Sequence, residues 1–350
     1  MEGGWTQICL LLVTSLLVVM EAEAQACSKR FSLWDPNHSM CQKVSPDLEK
    51  SVIPSGAERT SIVDEHNKFR AGVTPTATNM EKMYWDGELA EMVNGWLSTC
   101  VGMVHDKGSQ RFSPGKYSVG QNLAMGSFSN GWPSVVAAWH SEVKDFKYGN
   151  QAQMSADFKK IGHYTQVVWA QTARVGCAWV QCKGKSKVYG CNYAPGGNLG
   201  SSLGTPYKSG TSCADCVGKC SNKLCDCGGK VCYNYGTLDL KTCACKCSSQ
   251  SGLFLADKNC ALSCDKAADN NKVTSSSTTC AALAKKSTRQ QDCRSNYRYK
   301  ALACPWTCDV CPYADQGSLN SSAARSSQSI IGFTITFAVA LLPCLLLRML

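Results

Sequence analysis

The 350-residue sequence predicts an α+β fold, in which one core block of helices and strands is followed by small disulfide-rich modules. Cysteines are sparse between residues 58 and 207 and dense from Cys213 to Cys311, so only the first stretch can bury a large apolar core. Within it, some segments have apolar residues at helical spacing, and others are β-branched and aromatic runs. Helices and an antiparallel sheet in one block indicate a layered α+β sandwich.

The predicted helices and strands follow one another along this block. Apolar residues at helical spacing predict helices within 62–70, 89–97 and 132–146. Strands are predicted where β-branched and aromatic residues run between turn residues. The segments with this composition are 164–169, 175–180 and 187–193.

Both ends of the chain carry patterns of the secretory pathway. The apolar run between Ile8 and Met20 is too short for a bilayer and predicts a signal peptide over 1–24, cleaved after Ala24. Small polar residues precede an apolar tail over 330–350, an order that is typical of a GPI-anchor signal. A membrane-spanning helix is the alternative, but the segment after the apolar run is very short and has no cluster of basic residues, which favours the anchor. We therefore expect the protein on the extracellular face of the plasma membrane.

The cysteine count fits an oxidising compartment. Removing Cys9 with the signal and Cys344 with the tail leaves 22 of 24 cysteines, an even number that predicts a disulfide framework. Zinc clusters are the alternative, which the lack of paired histidines disfavours. The net charge of +10 is spread without a dense basic block, so nucleic acid is not an expected partner. Glycosylation sequons begin at Asn37 and Asn320.

The core block contains two long motifs, Gly-His-Tyr-Thr-Gln-Val-Val-Trp at 162–169 and Tyr-Gly-Cys-Asn-Tyr-Ala-Pro-Gly-Gly-Asn at 189–198. They resemble the first and second signatures of the CAP family, the cysteine-rich secretory proteins and their relatives. The resemblance covers essentially the whole block and implies the family's three-layer α-β-α sandwich. Further matching positions lie at 66–70, 84–90 and 120–124.

The resemblance also implies a cleft lined by two histidines and two acidic residues. Matching motif by motif places these positions at His105, Gln121, Glu142 and His163, where Gln121 replaces the family's commoner glutamate. No cofactor is expected to be required, but the two imidazoles and Glu142 could hold zinc or another divalent cation beside a water. The alternative is that the four groups only satisfy one another by hydrogen bonds. His66 is expected to pack within the fold.

The sequence does not favour an enzyme. It contains no His-Glu-x-x-His motif, and its Gly-x-Ser-x-Gly match at 200–204 lies in a Gly/Ser stretch without a strand-to-helix elbow. A metal-dependent hydrolase built on Glu142 and His163 is a third hypothesis, which the amide of Gln121 weakens. The resemblance implies binding of a sterol or fatty acid instead. Our leading hypothesis is a non-enzymatic, membrane-tethered binding protein that recognises a lipid, a sterol or a protein partner.

The cysteine-rich half resembles a hinge, an EGF-like module and a sea-anemone-toxin-like (ShK-like) module. The EGF-like module is expected to be a rigid stalk unit. In the toxin resemblance, Arg298 and Tyr299 lie where channel blockers carry a basic residue beside an aromatic one, which makes an ion-channel regulator the alternative function. An arginine enters a potassium pore less readily than a lysine, so adhesion or partner binding is favoured. The disulfides that the resemblance implies are Cys100–Cys182, Cys177–Cys191, Cys213–Cys220 and Cys216–Cys225.

These observations predict a linear series of segments. They are a signal peptide (1–24), an N-terminal arm (25–57), a CAP domain (58–207), a hinge (208–226), an EGF-like module (227–262), a ShK-like module (263–312), a Ser-rich stalk (313–329) and an apolar tail (330–350).

Overall fold

A computed structural model of the chain describes residues 27–247, 258–264, 269 and 279–314. The predicted signal peptide, the apolar tail and the Asn320 sequon therefore lie outside the described residues. Within the described ranges, no helix is both long enough and apolar enough to cross a membrane. The arm, the core block and the cysteine-rich region form one compact unit, 29–315.

The α-helices of the arm and core block are α1 (Lys29–Ser32), α2 (Gly56–Ala71), α3 (Gly87–Leu97), α4 (Trp132–His140), α5 (Gln151–Ala156) and α6 (Phe158–Val167). Asp86 caps α3, since its carboxylate accepts a hydrogen bond from the Leu89 N–H. Pro133 lies in the first turn of α4, where its missing N–H leaves no helical bond unmade. A 3-10 helix, Ser141–Asp145, continues the chain directly after α4.

The sheet of the core block has five strands, which are β1 (Leu48–Val52), β2 (Tyr84–Trp85), β3 (Gly120–Met125), β4 (Arg174–Cys182) and β5 (Val188–Ala194). Their order is β1-β4-β5-β3 with antiparallel pairing, and β2 pairs parallel with β4. In this register Gln121 lies opposite Asn192. Cys177 lies opposite Cys191 and forms a disulfide with it. Strand β3 is therefore an edge of the sheet, and the sequence places Gln121 on it.

Helices cover both faces of this sheet, which confirms the predicted α+β sandwich of three layers. On one face α3 packs against β4 and β5. Its close approach requires Gly176, because a Cβ there would lie 2.3 Å from the backbone N of Ala90. On the other face α2, α4 and α6 pack on one another over an apolar core. Buried members of that core include Ile62, Val135, Trp139, Tyr164, Val175 and Tyr193.

Two of the predicted elements need correction, and two strands were not predicted. The predicted strand at 164–169 is wrong, because residues 164–167 form the last turn of α6. Residues 164–168 are all buried, so no one-sided pattern separates helix from strand there. The predicted helix at 132–146 ends as an α-helix at His140. Strands β1 and β3 were not predicted, and β1 comes from the N-terminal arm.

The cysteine-rich region consists of short elements joined by disulfides. They are β6 (Cys220–Ser221), β7 (Leu224–Cys225), β8 (Thr237–Asp239), β9 (Ala244–Lys246), α7 (Cys280–Ala284), α8 (Arg289–Ser295) and a π-helix (Tyr297–Ala301). The four pairs that the resemblance implied are bonded in the structure. Six further disulfides are Cys227–Cys243, Cys232–Cys245, Cys247–Cys260, Cys264–Cys311, Cys280–Cys304 and Cys293–Cys308. Cys27 and Cys41 of the arm are disulfide-bonded as well.

The C-terminal end of this region packs against the arm and the core block. The Tyr297 ring lies 5.5 Å from that of Trp34 and 4.6 Å from that of Phe112, measured between centroids. The Tyr297 hydroxyl accepts from the Gly115 N–H at 2.9 Å and donates to Asn234 Oδ1 at 2.9 Å. The cysteine-rich region thus folds back onto the sandwich, in contrast to the expected stalk.

Candidate functional site

The first half of the candidate site is a hydrogen-bonded pair at the start of β3. His105 Nδ1 donates to Gln121 Oε1 at 2.7 Å, and Gln121 Nε2 donates to Asn192 Oδ1 at 3.2 Å. Burial lowers the pKa of His105, although the hydrogen bond with Gln121 acts in the opposite direction. The ring is therefore neutral near pH 7, with its lone pair on Nε2.

The second half pairs Glu142, in the 3-10 helix after α4, with α6. His163 Nδ1 donates to Glu142 Oε1 at 2.7 Å. Glu142 Oε2 accepts from the backbone N–H groups of His163, at 2.9 Å, and Tyr164, at 3.0 Å. The carboxylate thus orients the imidazole and is itself fully engaged. Trp139 stacks near this ring, with 6.3 Å between centroids.

Asn122, which follows Gln121 on β3, links the two halves, because its Nδ2 donates to His163 O at 3.0 Å. In both rings the hydrogen-bonded nitrogen is Nδ1. Neither Nε2 atom makes a hydrogen bond with any described residue. The structure holds the four residues as two hydrogen-bonded pairs, His105 with Gln121 and Glu142 with His163.

The predicted three-ligand metal set is not assembled in this arrangement. The ligand atoms of His105, Glu142 and His163 do not lie within 4.8 Å of one another, and both Glu142 oxygens are engaged. In each ring Nδ1 is held by an oxygen, as is usual for metal-binding histidines. The nitrogen that each ring could offer a divalent ion is therefore Nε2, with Gln121 and Glu142 as orienting groups.

A second cluster has the composition of a metal site but not its chemistry. Among the described residues, the one group of three or more potential ligands within 4.8 Å is Cys213, Cys216 and Cys225. All three sulfurs are in disulfides, two of them in Cys216–Cys225 and one in Cys213–Cys220. A disulfide sulfur is not the thiolate that binds metal.

His66 lies within the core, as the sequence analysis expected. It is fully buried, and its Nδ1 donates to Ile62 O at 2.7 Å, so its Nε2 accepts from the Tyr193 hydroxyl at 2.9 Å. Burial lowers its pKa to about 4. Asn122 Nδ2 joins this network to the site by donating to His163 O at 3.0 Å and to the Tyr193 hydroxyl at 3.4 Å.

Sequence reasoning missed the residues that support the four. Asn192 lies under Gln121, Asn122 links α6 to β5, and Trp139 stacks beside His163. Asn192 is fully buried, and its Nδ2 has no hydrogen-bond partner among the described residues. The signal for Asn122 and Asn192 was available, since both belong to motifs that matched the family but were given no role.

Exposed apolar side chains lie next to the site residues along the chain. Val104 precedes His105 and is 54% exposed, and Val143 follows Glu142 and is 40% exposed. Phe158, at the start of α6, is 41% exposed. A polar centre beside exposed apolar side chains is suited to a ligand that has both characters.

The other candidate residues are placed as follows. The Gly-x-Ser-x-Gly match contains a 3-10 turn, Gly200–Ser202, and not a strand-to-helix elbow. Asn37 is exposed at the surface. The side chains of Arg298 and Tyr299 lie outside the described part of the chain.

Comparisons with known proteins identify the core block. The sequence model of the cysteine-rich secretory protein (CAP) family matches residues 63–193. The horse (Equus caballus) cysteine-rich secretory protein 3 is 41% identical over 183 residues, which cover 51% of this chain and 73% of that protein. Among solved structures, the chain is similar to NaASP2 with Zn²⁺ (24% identity, TM-score 0.40, covering 49% of this chain and 96% of that one). It is also similar to BmVAL-1 (23% identity, TM-score 0.41, covering 52% and 98%).

The relative and the family model indicate the same family. The match to the horse protein extends over nearly three quarters of that protein at an identity well above what a shared fold alone produces. The matched residues 63–193 contain His105, Gln121, Glu142 and His163. The chain belongs to the CAP family, that of the cysteine-rich secretory proteins.

Proposed function

We propose that this protein is a non-enzymatic, membrane-tethered binding protein of the extracellular surface, whose CAP cleft recognises a lipid, a sterol or a protein partner. The observation that carries the proposal is the state of Glu142. Its two oxygens accept three hydrogen bonds, from the His163 ring and from the N–H groups of His163 and Tyr164. A carboxylate held in this way orients a neighbouring ring and is not a free general base.

The opposite side of the cleft supports the same function. The position of the second carboxylate is occupied by Gln121, whose amide bonds His105 and Asn192. An amide neither gives nor takes a proton at ordinary pH, so the pair of acid and base groups that hydrolysis needs is incomplete. The two Nε2 lone pairs remain as acceptors for a hydroxyl or N–H group of a ligand, or as ligands of a divalent cation.

The lipid form of the proposal is tested by placing a charge beside the cleft. We expect Val104→Asp and Val143→Asp to weaken the binding of radiolabelled cholesterol or palmitate by about tenfold or more, since a carboxylate opposes an apolar contact. The measurement is equilibrium binding to the purified full chain.

A matched control comes from the hinge, where Val217 is 74% exposed and distant in sequence from the cleft residues. Val217→Asp is expected to bind as the unchanged protein does. If all three variants bind equally, the ligand does not contact the cleft rim. If neither lipid binds the unchanged protein, the lipid form of the proposal is wrong and a protein ligand is left.

The tether is part of the proposal and has its own test. The secreted relative and the disulfide framework fit an extracellular protein. On cells that express the full chain, phosphatidylinositol-specific phospholipase is expected to release the protein into the medium, because the tail has the pattern of a GPI signal. Retention, with a known GPI-anchored protein released in parallel, would contradict the anchor and indicate a spanning helix.

We also propose that the cysteine-rich region consists of an EGF-like and a ShK-like module that make secondary contacts. The alternating pairs Cys227–Cys243 and Cys232–Cys245, followed by Cys247–Cys260, join the first module internally. The last six cysteines pair only with one another, which supports a separate module. Channel regulation through Arg298 and Tyr299 is less favoured, because the neighbouring Tyr297 is buried against the arm.

A further inference from the structure

A pocket outside the CAP cleft lies between the core block and the EGF-like segment. Its volume is about 450 Å³, which accommodates a molecule the size of a single sugar residue. None of the four cleft residues lines it. The side chains that argue for a ligand are those of Asp86, Tyr117, Arg174, Lys230, Tyr233 and Asn259.

The wall from the EGF-like segment is fixed to the core block. Asp226 accepts hydrogen bonds from the Tyr84 hydroxyl at 2.5 Å, from Lys82 Nζ at 3.0 Å and from the Gly228 N–H at 3.0 Å. Gly229 has φ +66°, and a Cβ there would lie 2.7 Å from the Tyr84 ring, so only glycine allows this approach. The pocket is therefore formed before any ligand arrives.

Positive charge in this pocket is not neutralised by ion pairs. Arg174 Nε donates to Gly229 O at 2.5 Å and Nη1 donates to Trp85 O at 3.4 Å. Both partners are backbone carbonyls, and Nη2 makes no bond to a described residue. Lys230 likewise forms no ion pair within the described ranges. The pocket is lined by two cations and one carboxylate, that of Asp86, which forms an ion pair with neither cation among the described residues. The excess positive charge favours an anionic group.

The remaining lining suits hydroxyl groups and one apolar sugar face. The Tyr117 and Tyr233 rings meet edge to face with 5.7 Å between centroids. Burial raises the pKa of both phenols, so both are neutral donors at physiological pH. Asp86 Oδ1 caps α3, and Oδ2 lies 3.5 Å from the Tyr117 hydroxyl. This carboxylate and the Asn259 amide are the kinds of group that bind sugar hydroxyls.

We propose that this pocket binds a single sugar residue that carries one anionic group, as part of an extracellular glycan. Arg174 and Lys230 bind the anionic group, while the two tyrosines and Asp86 contact the ring and its hydroxyls. The site is independent of the lipid or protein ligand of the CAP cleft, so either proposal can fail alone.

The test is a calorimetric titration of the purified full chain with three probes. The methyl glycoside of N-acetylneuraminic acid supplies a carboxylate, galactose 6-sulfate supplies a sulfate, and methyl galactoside is neutral. We expect at least one anionic probe to bind about tenfold more tightly than the neutral one. The preferred probe then distinguishes a carboxylated from a sulfated glycan.

Two variants locate the binding. Lys230→Gln is expected to weaken the binding of the anionic probe about tenfold and to leave the binding of the neutral probe unchanged. Tyr233→Phe keeps the ring and removes one hydrogen-bond donor, so it is expected to weaken the binding of the anionic probe severalfold. Lys241→Gln is the matched control, because Lys241 is an exposed lysine of the same EGF-like segment outside the pocket.

Three results would overturn the proposal. One is no saturable binding of either anionic probe at millimolar concentration. Another is equal affinity for the neutral and the anionic probes. The third is an equal effect of Lys230→Gln and Lys241→Gln, which would mean that net charge, and not this pocket, attracts the probes.

Discussion

The core block and the cysteine-rich region reach stability by different means. In the core block, helices on both faces of a five-stranded sheet bury a large apolar core, with the disulfides Cys100–Cys182 and Cys177–Cys191 added to it. In the cysteine-rich region, short elements surround a small cluster in which half-cystines are the most frequent members. The first region has an apolar core sufficient for a fold, and the second depends on its cross-links.

The small cluster is also completed from outside the region. Trp34 of the arm and Phe112 of the core block are buried in it, beside Tyr297. Trp34 Nε1 donates to Ser109 O at 3.2 Å, and Arg294 Nη1 donates to Trp34 O at 2.7 Å. The last module is therefore held both by its disulfides and by aromatic contacts with the arm and the core block.

The largest expected effect comes from removing a cross-link of the last module. The variant Cys264→Ser with Cys311→Ser opens a link between residues 47 positions apart, and loop entropy alone makes such a link worth about 4 kcal/mol. We expect amides of 279–314 to lose protection in hydrogen exchange followed by mass spectrometry, since little apolar core remains to hold them.

The matched variant is Cys177→Ser with Cys191→Ser in the core block. It opens a link of only 14 positions between two strands that are already paired along their length. We expect β4 and β5 to remain protected. Protection of 279–314 that survives in the first variant would show that the contacts with Trp34 and Phe112 suffice, and the contrast between the regions would disappear.

The parts of the fold that the sequence predicted are those with apolar residues at helical spacing or with a strand-like composition. Helix α3 alternates buried and exposed positions at helical spacing, and β4 and β5 are rich in β-branched and aromatic residues. Strand β3 reads Gly-Gln-Asn-Leu-Ala-Met and has no such composition; it is a strand because it pairs with β5. Strand β1 is polar on average and is defined only by its partner β4.

In the candidate site, too, one part was predictable from the sequence and another was not. Its four residues were found through motifs, but their roles depend on contacts between distant positions. Glu142 accepts from two N–H groups 21 and 22 positions away and so orients His163, and no local pattern in the sequence indicates these contacts. The ring contact between Trp34 and Tyr297, which are far apart in the chain, has no local sequence signature either. Local pattern predicts elements, and only packing reveals which elements meet.

Lowering the pH is expected to destabilise the core block more than the cysteine-rich region, because all five histidines lie at or before position 163. Burial lowers the pKa of His66 to about 4, below its ordinary value of 6.5, so the unfolded chain takes up this proton first. The stability that depends on neutral His66 is therefore complete above about pH 6.5 and is lost as the pH falls toward 4. At pH 4 the loss is on the order of 3 kcal/mol.

The measurement compares the free energy of unfolding of the core block, by denaturant titration at pH 7 and pH 4.5, with that of His66→Gln. The variant is less stable at pH 7 but is expected to lose less stability on acidification, because position 66 no longer takes up a proton. Buried Glu81, whose pKa burial raises to about 8, acts in the opposite direction in both proteins and cancels in the comparison. Equal losses in the two proteins would mean that His66 is not held neutral by the core, and acid would then not distinguish the two regions through this residue.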